Sequence, residues 1–451
     1  MGDQPLGPVF MLWLYRILFL PALLVLAPRY LWRMRRRGGY GENFSQRFGL
    51  GHALPAKTSA RHRIWLQAVS VGEVLAIGPL LEQLRQDHDV EIYLTTTTST
   101  GYRLATERYR PLVIGIGYFP VDAWMFSRLA WRAIAPDLVI LMEGERWPEH
   151  VHQAQRRGVP VLSINARLSD RSYRRLRKFG FVRRAVFGGV TRLLASSTQD
   201  AARFRELGFP GERIATTGNL KLDVSIEPLS DSERAQLRRE LGLRNGSVIL
   251  GSSTWPGEEQ AMLEAWQDAR AAGFPCSLLI VPRHAERRGE IEGWLQTCGV
   301  SFHFRSRGAA PGEVDIAIAD TTGELRKLTQ LADIVFVGKS LPPNEGGQTP
   351  VEAAALEKPL LFGPRMSNFR AIADELLKRG AAHEVKDDAV LVHEITNLLR
   401  DPSRRVRMAA AAAQWHRENA GAVKRTAAVI REVLDGSAVN VGGVTSPREH
   451  A

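Results

Sequence analysis

Short apolar runs alternate with helix-period segments from residue 60 to about 225, and this alternation most restricts what the chain can become. The runs 64–68, 90–96, 112–116, 138–142, 159–164 and 192–196 read as strands, each followed by a helical pattern. Strands that alternate with helices imply a parallel sheet covered on both faces. A polar stretch at 226–246 reads as a linker leading into a helix. A second α/β set follows, with strands expected at 248–252, 277–281, 314–319, 334–337 and 359–362. An alanine-rich stretch, 404–434, is expected as one long helix, and the Gly/Ser/Val/Pro-rich tail 436–451 as disordered. The expected organisation is two doubly wound α/β domains facing a cleft, 39–228 and 229–435, preceded by a hydrophobic segment, 1–38.

Residues 9–32 are strongly apolar, interrupted by Arg16 and Pro21 and followed by Arg33, Arg35, Arg36 and Arg37. Large side chains, length and the terminal arginines argue against a cleavable signal peptide. Three placements stay open: a single span with the arginines holding the rest in the cytoplasm, a helix lying in the interface because Arg16 is costly at mid-bilayer, or a buried helix of a soluble protein. The first two put the bulk of the chain at the inner face of a membrane. Sixty basic against forty-eight acidic residues leave a net charge of +12, which suits a polyanionic partner: phosphate, an anionic membrane or nucleic acid. The two cysteines, Cys276 and Cys298, form no metal-ligand spacing and argue against a disulfide frame. The scattered histidines give no structural metal.

Several strand ends carry reactive residues. Glu73 opens a helix just past the run ending at Ala68 and Val69, where open α/β sheets place ligands. It is either a partner of the helix dipole or a base kept ionised by the helix amino end. Glu143 and Glu145 follow the strand ending at Met142, Thr95 to Gly101 follow another, and Asn165-Ala-Arg167 a third. Arg167, Arg171, Arg174, Arg175 and Lys178 share one helical face, suited to phosphates or simply solvated. Lys221 closes this half and could steady developing negative charge. In the second half Arg283 follows Pro282 at a strand end as a phosphate candidate, and 320–324 leads into a helix whose free amides could take a phosphate. Gly346-Gly347 turns into a helix with Glu352 in its first turn, a carboxylate suited to a ribose diol.

These pieces in this order resemble the 3-deoxy-D-manno-octulosonic acid (Kdo) transferases of lipid A biosynthesis. The resemblance rests on Ala68-Val-Ser-Val-Gly-Glu73, Glu143-x-Glu-x-Trp-Pro148, Asn165-Ala-Arg-Leu-Ser169, Gly218-Asn-Leu-Lys-x-Asp223, Gly257-Glu-Glu259, Val281-Pro-Arg-His284, Asp320-Thr-x-Gly-Glu-Leu325 and Phe336-Val-Gly338. It implies a GT-B glycosyltransferase that uses CMP-Kdo and needs no metal or other cofactor. Glu73 then corresponds to the general base, and Glu143 and Lys221 to residues that stabilise the transition state. Pro282, Arg283, Thr322, Gly323, Glu324, Thr349, Pro350, Val351 and Glu352 fall in CMP-contacting segments. With a bisphosphorylated lipid A precursor as acceptor, Arg167, Arg171, Arg174 and Lys178 become acceptor ligands.

The sequence also departs from the family: Gln67 stands where a histidine is common, Trp255-Pro256 where His-Glu is, and Gln348-Thr349 where His-Asn is. The leading expectation is therefore an inverting Kdo transferase at the cytoplasmic face of the inner membrane, with no nucleic-acid partner. One rival is an inverting transferase of another activated sugar. Another is a non-catalytic relative that binds anionic lipid, against which the carboxylates Glu73 and Glu143 argue because they repel a polyanion.

Overall fold

A computed structural model describes residues 8–36, 42–144, 147–178, 187–224 and 226–440. The chain forms two compact units, Met1–Asp223 with Gly421–Ala451, and Val224–Ala420.

The first unit holds seven parallel strands: β1 (His62–Ala68), β2 (Val90–Thr96), β3 (Gly115–Tyr118), β4 (Leu138–Met142), β5 (Val161–Ala166), β6 (Arg192–Ala195) and β7 (Ile214–Thr216). Their order is β3-β2-β1-β4-β5-β6-β7, so the direction of winding reverses between β1 and β4. Successive side chains serve opposite faces. Trp65, Tyr93, Val139 and Leu141 pack with Phe119 and Trp131 on one side; Ile64, Leu66, Leu94 and Ile140 pack with Val74, Leu80 and Leu81 on the other. Burial on both faces explains why the strands read as unbroken apolar runs. The strand expected at 112–116 begins later, at Gly115, because Arg110–Leu112 is a 3₁₀ turn containing Pro111.

The second unit contains β8 (Ser247–Thr254), β9 (Cys276–Pro282), β10 (Phe302–Phe304), β11 (Ile316–Ile318), β12 (Ile334–Val337), β13 (Leu360–Phe362) and β14 (Ala382–Glu384). All pairings are parallel, in the order β10-β11-β9-β8-β12-β13-β14, with a reversal between β8 and β12. The α/β expectation thus holds as two parallel seven-stranded sheets. Three short strands, β7, β10 and β14, carry too few apolar residues to stand out in the sequence.

The single helix expected over 404–434 is two helices, Pro402–Asn419 and Ala422–Asn440. Gly421 separates them at φ 81°, a left-handed conformation that glycine adopts without steric cost. Asp223 fixes the restart: its carboxylate accepts from Gly421 N at 2.8 Å and Val423 N at 2.6 Å. The last helix packs Ile430 and Leu434 into the core of the first unit, and Arg431 grips Asp89 at 2.7 and 2.8 Å. The second domain expected to run to 435 therefore ends at Ala420. The helix runs through Asn440 and so overlaps the start of the expected tail; 441–451 lie outside the described residues.

At the other end Pro8–Arg36 is a helix containing Pro21 and Pro28. Residues 1–7 and 37–38 of the expected anchor segment lie outside the described residues. Among the described residues no single helix is long and apolar enough to cross a membrane. Leu12–Phe19 and Pro21–Arg29 pass the length and composition requirement only together, with a 43° bend between them. Proline removes a ladder hydrogen bond and crowds the preceding turn, which accounts for the bend. Arg16, costly in lipid, has a protein partner: its guanidinium donates to Glu149 at 2.9 and 3.1 Å. Tyr15 Oη donates to Asp122 Oδ2 at 2.6 Å, and Asp122 in turn accepts from the backbone N–H of Glu149 and His150.

Candidate active site

In the first unit the residues of interest gather where β1, β4 and β5 end. Ser70 caps the helix Val71–Ala76, its Oγ accepting from Glu73 N at 3.3 Å. The Glu73 carboxylate turns back over this cap. It accepts from Val69 N at 2.8 Å and from Ser70 Oγ at 3.1 Å, and the residue is 6% exposed. Burial pushes its pKa above the ordinary 4.5; the charge on Glu143 adds to the rise, while the Val69 N–H, the Ser70 hydroxyl and the charge on Lys221 oppose it. Glu73 therefore closes the cap and is also a desolvated carboxylate that accepts a proton more readily than a free one.

Glu143 follows β4 at φ 52°, with its N–H donating to Ile164 O at 2.9 Å. Lys221 Nζ donates to its Oε1 at 2.6 Å, and Arg167 reaches Oε2 at 3.1 and 3.0 Å. Lys221 rides on the 3₁₀ turn Leu220–Leu222. Asn165, at φ 50°, accepts from Leu220 N through Oδ1 at 3.1 Å and so ties that turn to the end of β5. The three residues expected to be catalytic, Glu73, Glu143 and Lys221, thus share one electrostatic neighbourhood. Two cations, Lys221 and Arg167, thus pair with the one Glu143 carboxylate.

Two neighbours had no assigned role in the sequence. Asn165 positions the Lys221 turn; its left-handed backbone is the signal, and that is invisible in a one-dimensional pattern. Gln67 is fully buried on β1, and both polar atoms of its amide lack a partner. The basic helix Asp170–Lys178 has no buried residue. On it Arg171, Arg174 and Lys178 are exposed, and among the described residues no carboxylate pairs with them. Arg167, expected on the same helical face, is not part of the stripe: the helix begins at Asp170, and Arg167 lies before it, engaged by Glu143.

In the second unit Pro282 ends β9 and is buried, whereas Arg283 is exposed, its backbone N–H donating to Thr254 O at 3.1 Å. Thr322 and Gly323 are exposed in the loop after β11. Glu324 is held by Arg305 through two 2.8 Å contacts and by the Thr321 hydroxyl. The Arg305 hydrogen bonds, foremost, keep its pKa below 4.5. Pro350 and Val351 are buried, Thr349 Oγ1 accepts from Val351 N at 3.3 Å, and Glu352 accepts from Arg326 Nε at 3.1 Å. The helix expected to follow 320–324 through 331 is only Leu325–Thr329.

Glu258, one of a pair of buried glutamates in the first turn of the helix Glu258–Ala271, organises this end of the sheet. Its carboxylate accepts from the backbone N–H groups of Trp255 (2.9 Å), Lys339 (2.7 Å), Ser340 (2.8 Å) and Leu341 (3.1 Å). Burial raises its pKa, against the opposing effect of those four donors. In the sequence it stood only within the Gly257-Glu-Glu259 motif, with no role assigned to it.

A family model described as 3-deoxy-D-manno-octulosonic-acid transferase (kdotransferase) matches residues 42–224. The 3-deoxy-D-manno-octulosonic acid transferase of Bordetella pertussis is 34% identical over 444 residues, covering 95% of this chain and 97% of its own. The chain belongs to the Kdo transferase family. The crystallised C-terminal CMP-Kdo binding domain of WaaA from Acinetobacter baumannii matches 41% of this chain and 95% of its own at 31% identity, with a TM-score of 0.38. UDP-GlcNAc 2-epimerase from Neisseria meningitidis aligns over 83% of this chain and all of its own with a TM-score of 0.53. At 14% identity that likeness is one of fold, a GT-B-like pair of α/β sheets.

Proposed function

We propose that this chain is an inverting glycosyltransferase that moves Kdo from CMP-Kdo to the sugar hydroxyl of a lipid A precursor. The observation that carries the reading is Glu73, a buried carboxylate of raised proton affinity beside the Lys221–Glu143 pair. Glu73 takes the proton of the acceptor hydroxyl as that oxygen bonds to the anomeric carbon, and the bond from that carbon to the CMP phosphate oxygen breaks. Lys221 stabilises the negative charge that develops, held in place by Glu143, whose other oxygen is engaged by Arg167. The segments around Arg283, Thr322-Gly323 and Thr349–Glu352 bind the CMP moiety. Arg171, Arg174 and Lys178, exposed and without carboxylate partners, receive the acceptor phosphates.

The same reading puts the protein at the cytoplasmic face of the inner membrane. Trp13, Ile17, Leu18, Leu24, Val25 and Leu26 expose apolar surface along the first helix, with Val25 77% exposed. Such surface suits an interfacial helix, and the tie from Arg16 to Glu149 removes the charge that lipid rejects.

The test is incubation of the purified protein with CMP-Kdo, generated in situ, and a lipid A precursor, followed by product mass. The expected result is a mass increase of one or more Kdo residues, abolished by E73A with folding retained. An E73A protein that transfers at the parental rate would overturn the base assignment.

A further inference from the structure

Lys339 is the residue of the second unit that neither family motifs nor ordinary packing explain. It stands two residues past the end of β12 with φ 60°, a left-handed conformation that is uncommon outside glycine. The surrounding structure holds it there. Its N–H donates to Glu258 at 2.7 Å, and its carbonyl accepts from Gly347 N at 2.9 Å. The neighbouring Gly338 carbonyl accepts from Gln348 N at 3.0 Å, so the glycine turn is laced to the strand end immediately ahead of Thr349 to Glu352. An uncommon backbone fixed by a buried carboxylate is the kind of local cost that accompanies a positioned functional group.

The side chain is equally particular. Its ammonium lies 4.3 Å from the centroid of the Trp255 ring. Trp255 meets His284 edge to face at 5.1 Å, and His284 follows Arg283. Among the described residues no carboxylate pairs with Lys339. A ring face attracts a cation without cancelling its charge, so the ammonium keeps its capacity for an oxyanion. These residues come from the ends of β9, β8 and β12, neighbours on either side of the reversal in the second sheet, which is where α/β sheets bind ligands.

We propose that Lys339, steadied by Trp255 and the Glu258 clamp, is an oxyanion ligand for the CMP-linked sugar acid. The oxyanion is either the nucleotide phosphate or the sugar carboxylate. This rests on the donor reading above and adds to it a binding residue. Trp255 and Lys339 act together: the tryptophan face restrains a lysine whose four-carbon stem is otherwise mobile.

The test uses the full chain and calorimetric titration with CMP and with cytidine, together with KM for CMP-Kdo. K339M keeps the stem and removes the charge. Loss of one charge-assisted contact is expected to weaken CMP binding about tenfold or more, with cytidine binding unchanged, if the phosphate is the ligand. Unchanged CMP affinity with a KM raised about tenfold assigns the lysine to the sugar carboxylate. K339R retains most affinity in either case. K339G relieves the left-handed backbone, so its thermal midpoint should equal or exceed the parent's while the binding defect persists; this separates ligand loss from misfolding. K339M with parental CMP affinity and parental KM overturns the inference and leaves the donor reading standing. A parent protein that binds no CMP overturns both.

Discussion

Lys221 Nζ stands 2.6 Å from Glu143 Oε1, although 78 residues separate them in the chain. The pair is partly open to solvent, with side-chain exposures of 32% and 14%. Such a pair adds at most about 1 kcal/mol to stability. K221M is therefore expected to unfold at nearly the parental denaturant midpoint, while the transfer rate drops about 10²–10³-fold, as for loss of one preorganised charge donor. Denaturant titration and timed product mass measure the two effects separately. An unaltered rate removes Lys221 from the reaction.

The raised pKa of Glu73 predicts an acid limb in the pH–rate profile. The base must be ionised, so the rate climbs with pH through an apparent value above the ordinary 4.5. The stability linkage has the opposite sense. A carboxyl whose folded pKa is raised contributes stability that is complete below 4.5 and is lost as pH rises through the raised value. E73Q, which does not titrate, should lose less stability between pH 4.5 and neutrality than the parent, as read from thermal midpoints across that range.

Arg16 and Glu149 tie the first helix to the rest of its unit. Glu149 is fully buried and is also bonded by Gln153 Nε2 at 2.8 Å, while the Arg16 side chain is 19% exposed. R16M strands a buried carboxylate, an expected loss of about 2–3 kcal/mol, at the low end for a broken buried pair because Arg16 keeps some solvent. R16M combined with E149Q removes the stranded charge and should recover most of that loss. Chemical unfolding of the single and double variants decides it.

The last helix is structural for the first unit. A chain ending at Ala420 leaves Ile430 and Leu434 out of a core in which both are buried, and leaves Asp89 without Arg431. The expected outcome is rapid proteolysis within 62–223 and persistence of the second unit. Equal protease resistance of both units would contradict the packing role of this helix.

Membrane association should depend on the exposed apolar residues beyond Pro21. Replacing Leu24, Val25 and Leu26 by serine removes a strongly exposed apolar run of that helix and is expected to cut co-sedimentation with anionic vesicles severalfold. Folding should be retained, since none of the three is buried. Salt should weaken the residual binding through the basic residues.

Two parallel sheets and the carboxylates at their strand ends could be read from residue order, because both depend on local periodicity. A strand buried on both faces, such as 64–68 or 138–142, must be apolar throughout, and a polar residue directly after it must lie at the sheet's carboxyl edge. Glu143, directly after 138–142, was legible in this way, and Glu73 as the opening of the helix after the first strand; Lys221, which follows a strand the sequence did not reveal, was not. The partners that give them their properties were not: the Asn165 link to Leu220, the Arg167 and Lys221 contacts with Glu143, and the four backbone donors on Glu258. Apart from the Trp255 donor on Glu258, each joins segments well separated in the chain, and no local pattern encodes which ends a fold brings together. Gly421 illustrates the same division. Its presence inside an alanine-rich stretch was plain, but only Asp223 and the core around Leu434 decide that the chain turns there and returns its last helix to the first unit.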